Sequence, residues 1–137
     1  KYSNTVDAHL DCNQYMMDEF KKGRIAINNN NNAAKDLAAQ NIKAKWDKIV
    51  AACVIHYLND ALDSFSDDAI RNHTLSEALG FTLSLKYNPD KAISTADLNT
   101  VLSLFGNNFY TISSTNVVAA KDLISTIYDL DAVKDLL

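Results

Sequence analysis

The stretch KWDKIVAACVIHYLNDAL, residues 45–62, decides the fold. It contains no glycine or proline, and its apolar residues recur at helical spacing rather than alternating. Trp46, Ile49, Val50, Cys53, Tyr57 and Ala61 form one stripe, extended backwards by Leu37 and Ile42. Lys43, Lys45 and Lys48 fall in the sector that this stripe leaves to solvent. The pattern predicts one long helix from about Ala33 to Ser64.

Working outward, Val6, Leu10, Asn13, Met17 and Phe20 predict a first helix from about Asn4 to Ile27. The run Asn28–Asn32 is too polar for a core, and its side chains compete with helical hydrogen bonds, so it reads as a loop. On the other side, Ser66 with Asp67 and Asp68 is a helix start, because a hydroxyl caps free amides and acids favour the positive end of the dipole. That third helix continues to about Tyr87 and stops ahead of Pro89. Leu79 and Leu83 are expected in its core face, together with Trp46, Ile49, Val50 and Cys53 from the second helix. Ser94 and Asp97 have the spacing of a capping box, opening a short helix through Phe105 that Gly106 ends. Ser113 or Ser114 starts a fifth helix to about Tyr128, and DAVKDLL adds a final turn or two.

Composition agrees with this reading. The 137 residues include 47% hydrophobic side chains but only three glycines and one proline. That favours a single, mostly helical domain over 1–137 with a sizeable core. The expected class is all-α, an antiparallel bundle of three long and two to three shorter helices. The net charge of −4, with dispersed basic residues, argues against a nucleic-acid partner. No apolar run approaches the length of a membrane span. The chain starts at Lys1 with no initiator Met and no signal peptide, which reads as part of a longer precursor. Cys12 and Cys53 both lie in apolar helical stretches, where a buried free thiol is the default, although one bridge between two helices also fits the count.

The residues able to carry chemistry are few. His73 and Glu77 in IRNHTLSEALGF (70–81) stand one helical turn apart. If the second and third helices pair antiparallel through a short turn near Phe65, His56 comes to nearly the height of His73. Two imidazoles and a carboxylate at one level suit zinc or iron. The blander reading is a buried polar network in which His73 donates to Glu77 and no metal is bound. The spacing favours the network. Cys53 and His56 at i,i+3 make a nominal thiolate pair, but a stripe cysteine is ordinarily inert. Asp7, His9 and Asp11 fall on different faces. Ser76 and Ser84 have no strand-turn-helix elbow. NHT at Asn72 matches a glycosylation sequon but lies mid-helix. NNFYTI (107–112) either seals the bundle end or presents Phe109 and Tyr110 to a partner. No catalytic residue and no cofactor-binding residue is assigned.

Five segments carry a family resemblance: KGRIAI (22–27), KWDKIVAACVIHYLNDAL (45–62), HTLSEALGFTLSLKYNP (73–89), VLSLFGNNFY (101–110) and AAKDLISTIYDLDAVKDLL (119–137). Together they resemble the domain of unknown function 4856 family of Bacteroidota envelope lipoproteins, which is similar to imelysin-like helical proteins. The likeness spans nearly the whole chain and corresponds to the family's C-terminal part. It implies an all-helical protein secreted across the inner membrane, in the periplasm or at the cell surface, and associated with the outer membrane through a lipid anchor or a partner. It brings no established reaction. The imelysin-like GxHxxE motif sets histidine and glutamate three residues apart; here His73 and Glu77 are four apart, and Arg71 stands where the motif has glycine. The expectation is therefore a non-enzymatic envelope module that binds a protein partner or serves an outer-membrane assembly. The alternative is an imelysin-like metal- or haem-binding protein linked to iron uptake, using His56, His73 and Glu77. A hydrolase ranks last, lacking a nucleophile or a metal-bound water.

Overall fold

A computed structural model describes residues 2–137, with side chains from Val6 onward. Among the described residues there are six α-helices and no strand: α1 Tyr2–Leu10, α2 Cys12–Asn28, α3 Asn32–Asp63, α4 Asp68–Ser84, α5 Thr95–Phe105 and α6 Ser114–Ile127. A 3₁₀ turn, Leu85–Tyr87, extends α4, and residues 128–136 form successive turns. The chain is an all-α helical bundle. No helix among the described residues is long and apolar enough to cross a membrane.

Helix α3 is the axis of the molecule. Ala51, Ala52, Val54, Ile55, Leu58 and Ala61 are all fully buried along it. The sequence stripe marked only one of its sides. The middle of α3 is instead covered nearly all round, by α2, α4 and α6. A helix buried on every side has little amphipathic contrast, so periodicity understates its core. The three alanines let neighbouring backbones approach closely.

Several expected features hold. Ser94 caps α5 through Asp97 N at 3.0 Å, with its hydroxyl returned to the Asp97 carboxylate at 2.7 Å. Gly106 ends the same helix at φ 65°, a conformation that costs glycine nothing. Ser113 caps α6 through Asn116 N at 3.1 Å. The Asn run supplies a turn of only three residues between α2 and α3. There Asn30 takes φ 53°, and Asn31 caps α3 by accepting from Ala34 N at 3.0 Å.

Others are corrected. The first helix is not continuous: Asp11 adopts φ 47°, ψ 45° and splits it into α1 and α2, with Asn13 N donating to Asp7 Oδ1 at 2.6 Å. Met17 and Phe20, placed in its core stripe, are exposed, because α2 turns Cys12, Glu19 and Ala26 toward α3 instead. Asp67, not Ser66, caps α4, accepting from Ala69 N and Ile70 N at 3.0 and 3.1 Å. The tail, by contrast, is as expected: DAVKDLL forms successive turns, with Leu136 N donating to the Val133 carbonyl at 2.9 Å. Asn59 Nδ2 donates to the carbonyls of Lys134 and Leu137 and holds that tail against α3.

Helix α4 is rotated from the expected face. It buries Arg71, Thr74, Leu75, Ala78 and Thr82, leaving Leu79 half-buried and Leu83 43% exposed. Two threonines sit in a core because each hydroxyl donates to a carbonyl one turn back, Thr74 to Ile70 at 3.1 Å and Thr82 to Ala78 at 2.8 Å. Arg71 is tolerated because it donates to the Phe65 carbonyl at 2.7 Å and pairs with Asp68 at 2.7 Å.

The lengths of the helices create one further feature. α3 is 32 residues long and α4 only 17. At about 1.5 Å per residue, α3 outruns α4 by roughly 20 Å. Its N-terminal part is accompanied by α2 alone, and the two form a projecting two-helix arm.

Candidate functional site

The expected trio does not assemble. α3 and α4 do pack antiparallel through the short 64–67 connection, with the Tyr57 and Phe81 rings stacked at 5.7 Å. His56 is half-buried, its Nε2 3.6 Å from Asp60 Oδ2 on the same helix, with its ring tilted against Tyr57. His73, however, lies on the exposed face of α4, opposite Leu75 and Ala78, and makes no hydrogen bond to Glu77. The rotation of α4 described above is the cause. Among the described residues no group of three or more His, Cys, Asp and Glu side chains could hold a metal ion.

The weaker candidates also resolve. Ser76 and Ser84 donate to the carbonyls of His73 and Phe81 at 2.7 Å, with no base beside either hydroxyl. His9 is exposed. Cys12 and Cys53 are free thiols, and burial pushes both above the ordinary thiol range, with each other's proximity adding to the rise at Cys53. A thiol held protonated is a poor nucleophile. Phe109 packs against Phe105, while Tyr110 beside it is exposed.

The structure instead organises two features around neighbouring residues of α3. The first is Asp47, only 4% exposed. Its carboxylate accepts from Asn88 Nδ2 at 2.9 Å, Ala92 N at 2.9 Å and the Tyr128 hydroxyl at 3.0 Å. One buried acid thus ties the turn after α4 and the end of α6 to the central helix. The lysines expected to be solvated share in such work. Lys45 donates to the Leu10 carbonyl at 2.7 Å over the Tyr15 ring, and Lys48 to the Asp129 carbonyl at 3.0 Å. Only Lys43 stays exposed, paired with Asp90 at 2.9 Å.

The second is Trp46, expected in the core and found 60% exposed. It faces α4 where Gly80 and Ser84 offer no bulk to cover it. Concave surfaces flank the indole on both sides. One, about 360 Å³, is lined by Ile42, Lys43, Val50, Ser84 and Leu85, together with Asp47 and Asn88. The other, about 500 Å³, runs over Val50, Gly80 and Phe81 to Glu77. A third furrow on the arm, lined by Phe20, Ile27, Ala39 and Ile42, joins the first at Ile42. The first two share Trp46, Val50 and Ser84 and form one apolar groove with the protein's only tryptophan at its centre; the arm furrow adjoins it at Ile42.

Gly80 adds an independent sign. A mid-helix glycine weakens a helix by about 1 kcal/mol relative to alanine. A Cβ built there meets nothing within 4 Å, so no packing within this chain requires glycine. Its effect is to leave the groove wall bare.

The model of a family described as domain of unknown function (DUF4856) matches residues 1–117. The chain belongs to the domain of unknown function 4856 family. No curated protein and no solved structure matches it. The span matched by the DUF4856 model contains α1 to α5 and every residue of the Trp46 groove, whereas Tyr128 and the turns that follow it lie outside.

Sequence reasoning missed Asp47 and misplaced Trp46. Asp47 stands between Lys45 and Lys48, and nothing within a turn of it signals burial. A tryptophan in an apolar stripe reads as core, and only the combination of Gly80 and Ser84 on the facing helix signals otherwise.

Proposed function

We propose that this DUF4856 chain is a non-enzymatic helical module of the cell envelope that docks a protein partner in the Trp46 groove. The observation that carries the reading is a large aromatic side chain left uncovered at the centre of a preformed apolar groove. Exposed apolar patches of this kind, with aromatic anchors at their middle, are the ordinary form of protein-binding surfaces. The ionisable groups that are buried serve internal contacts: Asp47 is spent on three donors, Glu19 on Lys22 and Asn41, and Lys121 on Asn59 and Asp135. That distribution suits a binding scaffold better than a catalyst. The resemblance to Bacteroidota lipoproteins and imelysin-like proteins supports placing the module in the periplasm or at the cell surface, associated with the outer membrane. The metal- or haem-binding alternative gains nothing from His56, His73 and Glu77 as they are arranged.

The test is affinity capture from native membranes with the wild-type chain and with Trp46→Asp. The reading expects a stable stoichiometric partner with the first and its loss with the second, while both variants give the same helical circular dichroism. A chain that is monomeric and captures no protein, or a partner that ignores the substitution, contradicts it.

A further inference from the structure

Two of the apolar surfaces left uncovered among the described residues belong to regions of opposite charge. The first is the ridge of α2 on the projecting arm, where Met17, Phe20 and Ile27 follow at helical spacing with Arg24 among them. Phe20 is 58% exposed and Met17 54%. The second is the Trp46 groove, with Lys43 at its arm end and Glu77 at the other. Residues 12–43, which include the arm, carry five Lys and Arg against three Asp and Glu; the rest of the chain carries eight against fourteen. The arm is basic and the body acidic. Because Ile42 lines both the arm furrow and the groove, the surface that Phe20 and Ile27 help to line adjoins the groove.

Resting on the reading of the groove as a docking site, we infer that its occupant is a second copy of this chain. The ridge of each arm lies in the Trp46 groove of the other copy, about a two-fold axis near Ile42. A two-fold axis repeats every contact, so one pairing covers both exposed ridges and both grooves. The basic arm of each copy then lies on the acidic body of the other, and complementary charge orients the approach. Gly80 fits the same arrangement, since the bare helix wall beside Trp46 leaves room for an aromatic ring such as Phe20 to enter. An anionic bilayer would also attract a basic apolar ridge. It would leave the Trp46 groove unfilled and repel the acidic body, whereas a second copy uses both surfaces.

The experiment is light scattering coupled to gel filtration on the wild-type chain, Phe20→Asp and Trp46→Asp, each checked for native helicity by circular dichroism. At about 100 µM, well above the Kd of a specific interface of ordinary size, the wild type should run at twice its 15.2 kDa mass. Each variant should run as a single chain. An equimolar mixture of the two variants should recover dimer, since the intact arm of Trp46→Asp meets the intact groove of Phe20→Asp. A wild-type chain that stays at 15.2 kDa, a dimer untouched by both substitutions, or a mixture that recovers nothing overturns the inference. Phe20-dependent binding of a single chain to phosphatidylglycerol vesicles overturns it in favour of a membrane. Monomeric wild type with Trp46-dependent capture of an envelope protein overturns the second copy alone and leaves the docking groove standing.

Discussion

The hydroxyl of Tyr128 donates to the buried carboxylate of Asp47 across 3.0 Å, joining the end of α6 to the middle of α3 over 81 residues of sequence. The same carboxylate holds Asn88 and Ala92. Removing the acid strands three donors, whereas removing the phenol strands none. Asp47→Ala should therefore cost at least about 2 kcal/mol and Tyr128→Phe about 0.5–1.5 kcal/mol, since an orphaned buried donor costs more than a lost bond is worth. Urea denaturation of the two variants checks the order; equal losses would mean that Asp47 is solvated.

The same contact sets an alkaline limit. Burial and the neighbouring Asp47 push the Tyr128 phenol far above its ordinary value of 10.0. With the folded value raised, the stabilisation is complete below the unfolded value and is lost as pH rises above it. Stability should decline from about pH 10 upward, where an unfolded tyrosine ionises. Tyr128→Phe should flatten that decline. Thermal melts from pH 8 to 11.5 on both proteins measure it, and parallel curves would contradict the assignment.

Truncations of leucine separate the true core from the apparent one. Leu58→Ala and Leu75→Ala remove fully buried side chains and should cost about 2–5 kcal/mol each. Leu83→Ala, expected from the sequence to belong with them, should cost less than about 1 kcal/mol, because its side chain is already 43% exposed. Denaturant midpoints give the comparison directly; a costly Leu83→Ala would restore the unrotated α4.

What the sequence discloses follows from these particulars. Ser94, Gly106 and Ser113 announced their helix ends because capping is local chemistry, readable within four residues. The rotation of α4 was not readable, because Thr74 and Thr82 are polar by name yet enter the core with their hydroxyls satisfied on their own helix. Asp47 was hidden for the converse reason: its partners at 88, 92 and 128 are remote, and nothing near it in the chain signals burial. The candidate site suffered from both effects. His73 loses its expected place with the rotation, and Trp46 reads as core because Gly80 and Ser84 act from another helix.

His73 and Glu77 make a sharp contrast with the pairing their spacing suggests. With no hydrogen bond between them and His73 exposed, Glu77→Leu should change stability by less than about 0.5 kcal/mol, the range of ordinary surface substitutions. A loss of about 1–3 kcal/mol, the cost of stranding a buried polar partner, would reinstate the pair. Equilibrium unfolding in urea decides between them.

Gly80→Ala should act in opposite directions on folding and on docking. The added methyl meets nothing within 4 Å, so the helix gains about 0.5–1 kcal/mol from lower unfolded-state entropy and better propensity. The same methyl narrows the groove beside Trp46, so the partner should be held more weakly. A melt and a capture assay on one variant test both signs.

Trp46 is the protein's only tryptophan, so its fluorescence reports on the groove without labelling. The dilute chain should emit as a solvent-exposed indole and be quenched freely by acrylamide. On concentration, or on addition of native membrane extract that supplies a partner, the emission should move to the blue and the quenching should fall. Emission that stays red-shifted and equally quenchable under every one of those conditions would contradict the claim that the Trp46 groove is a docking site.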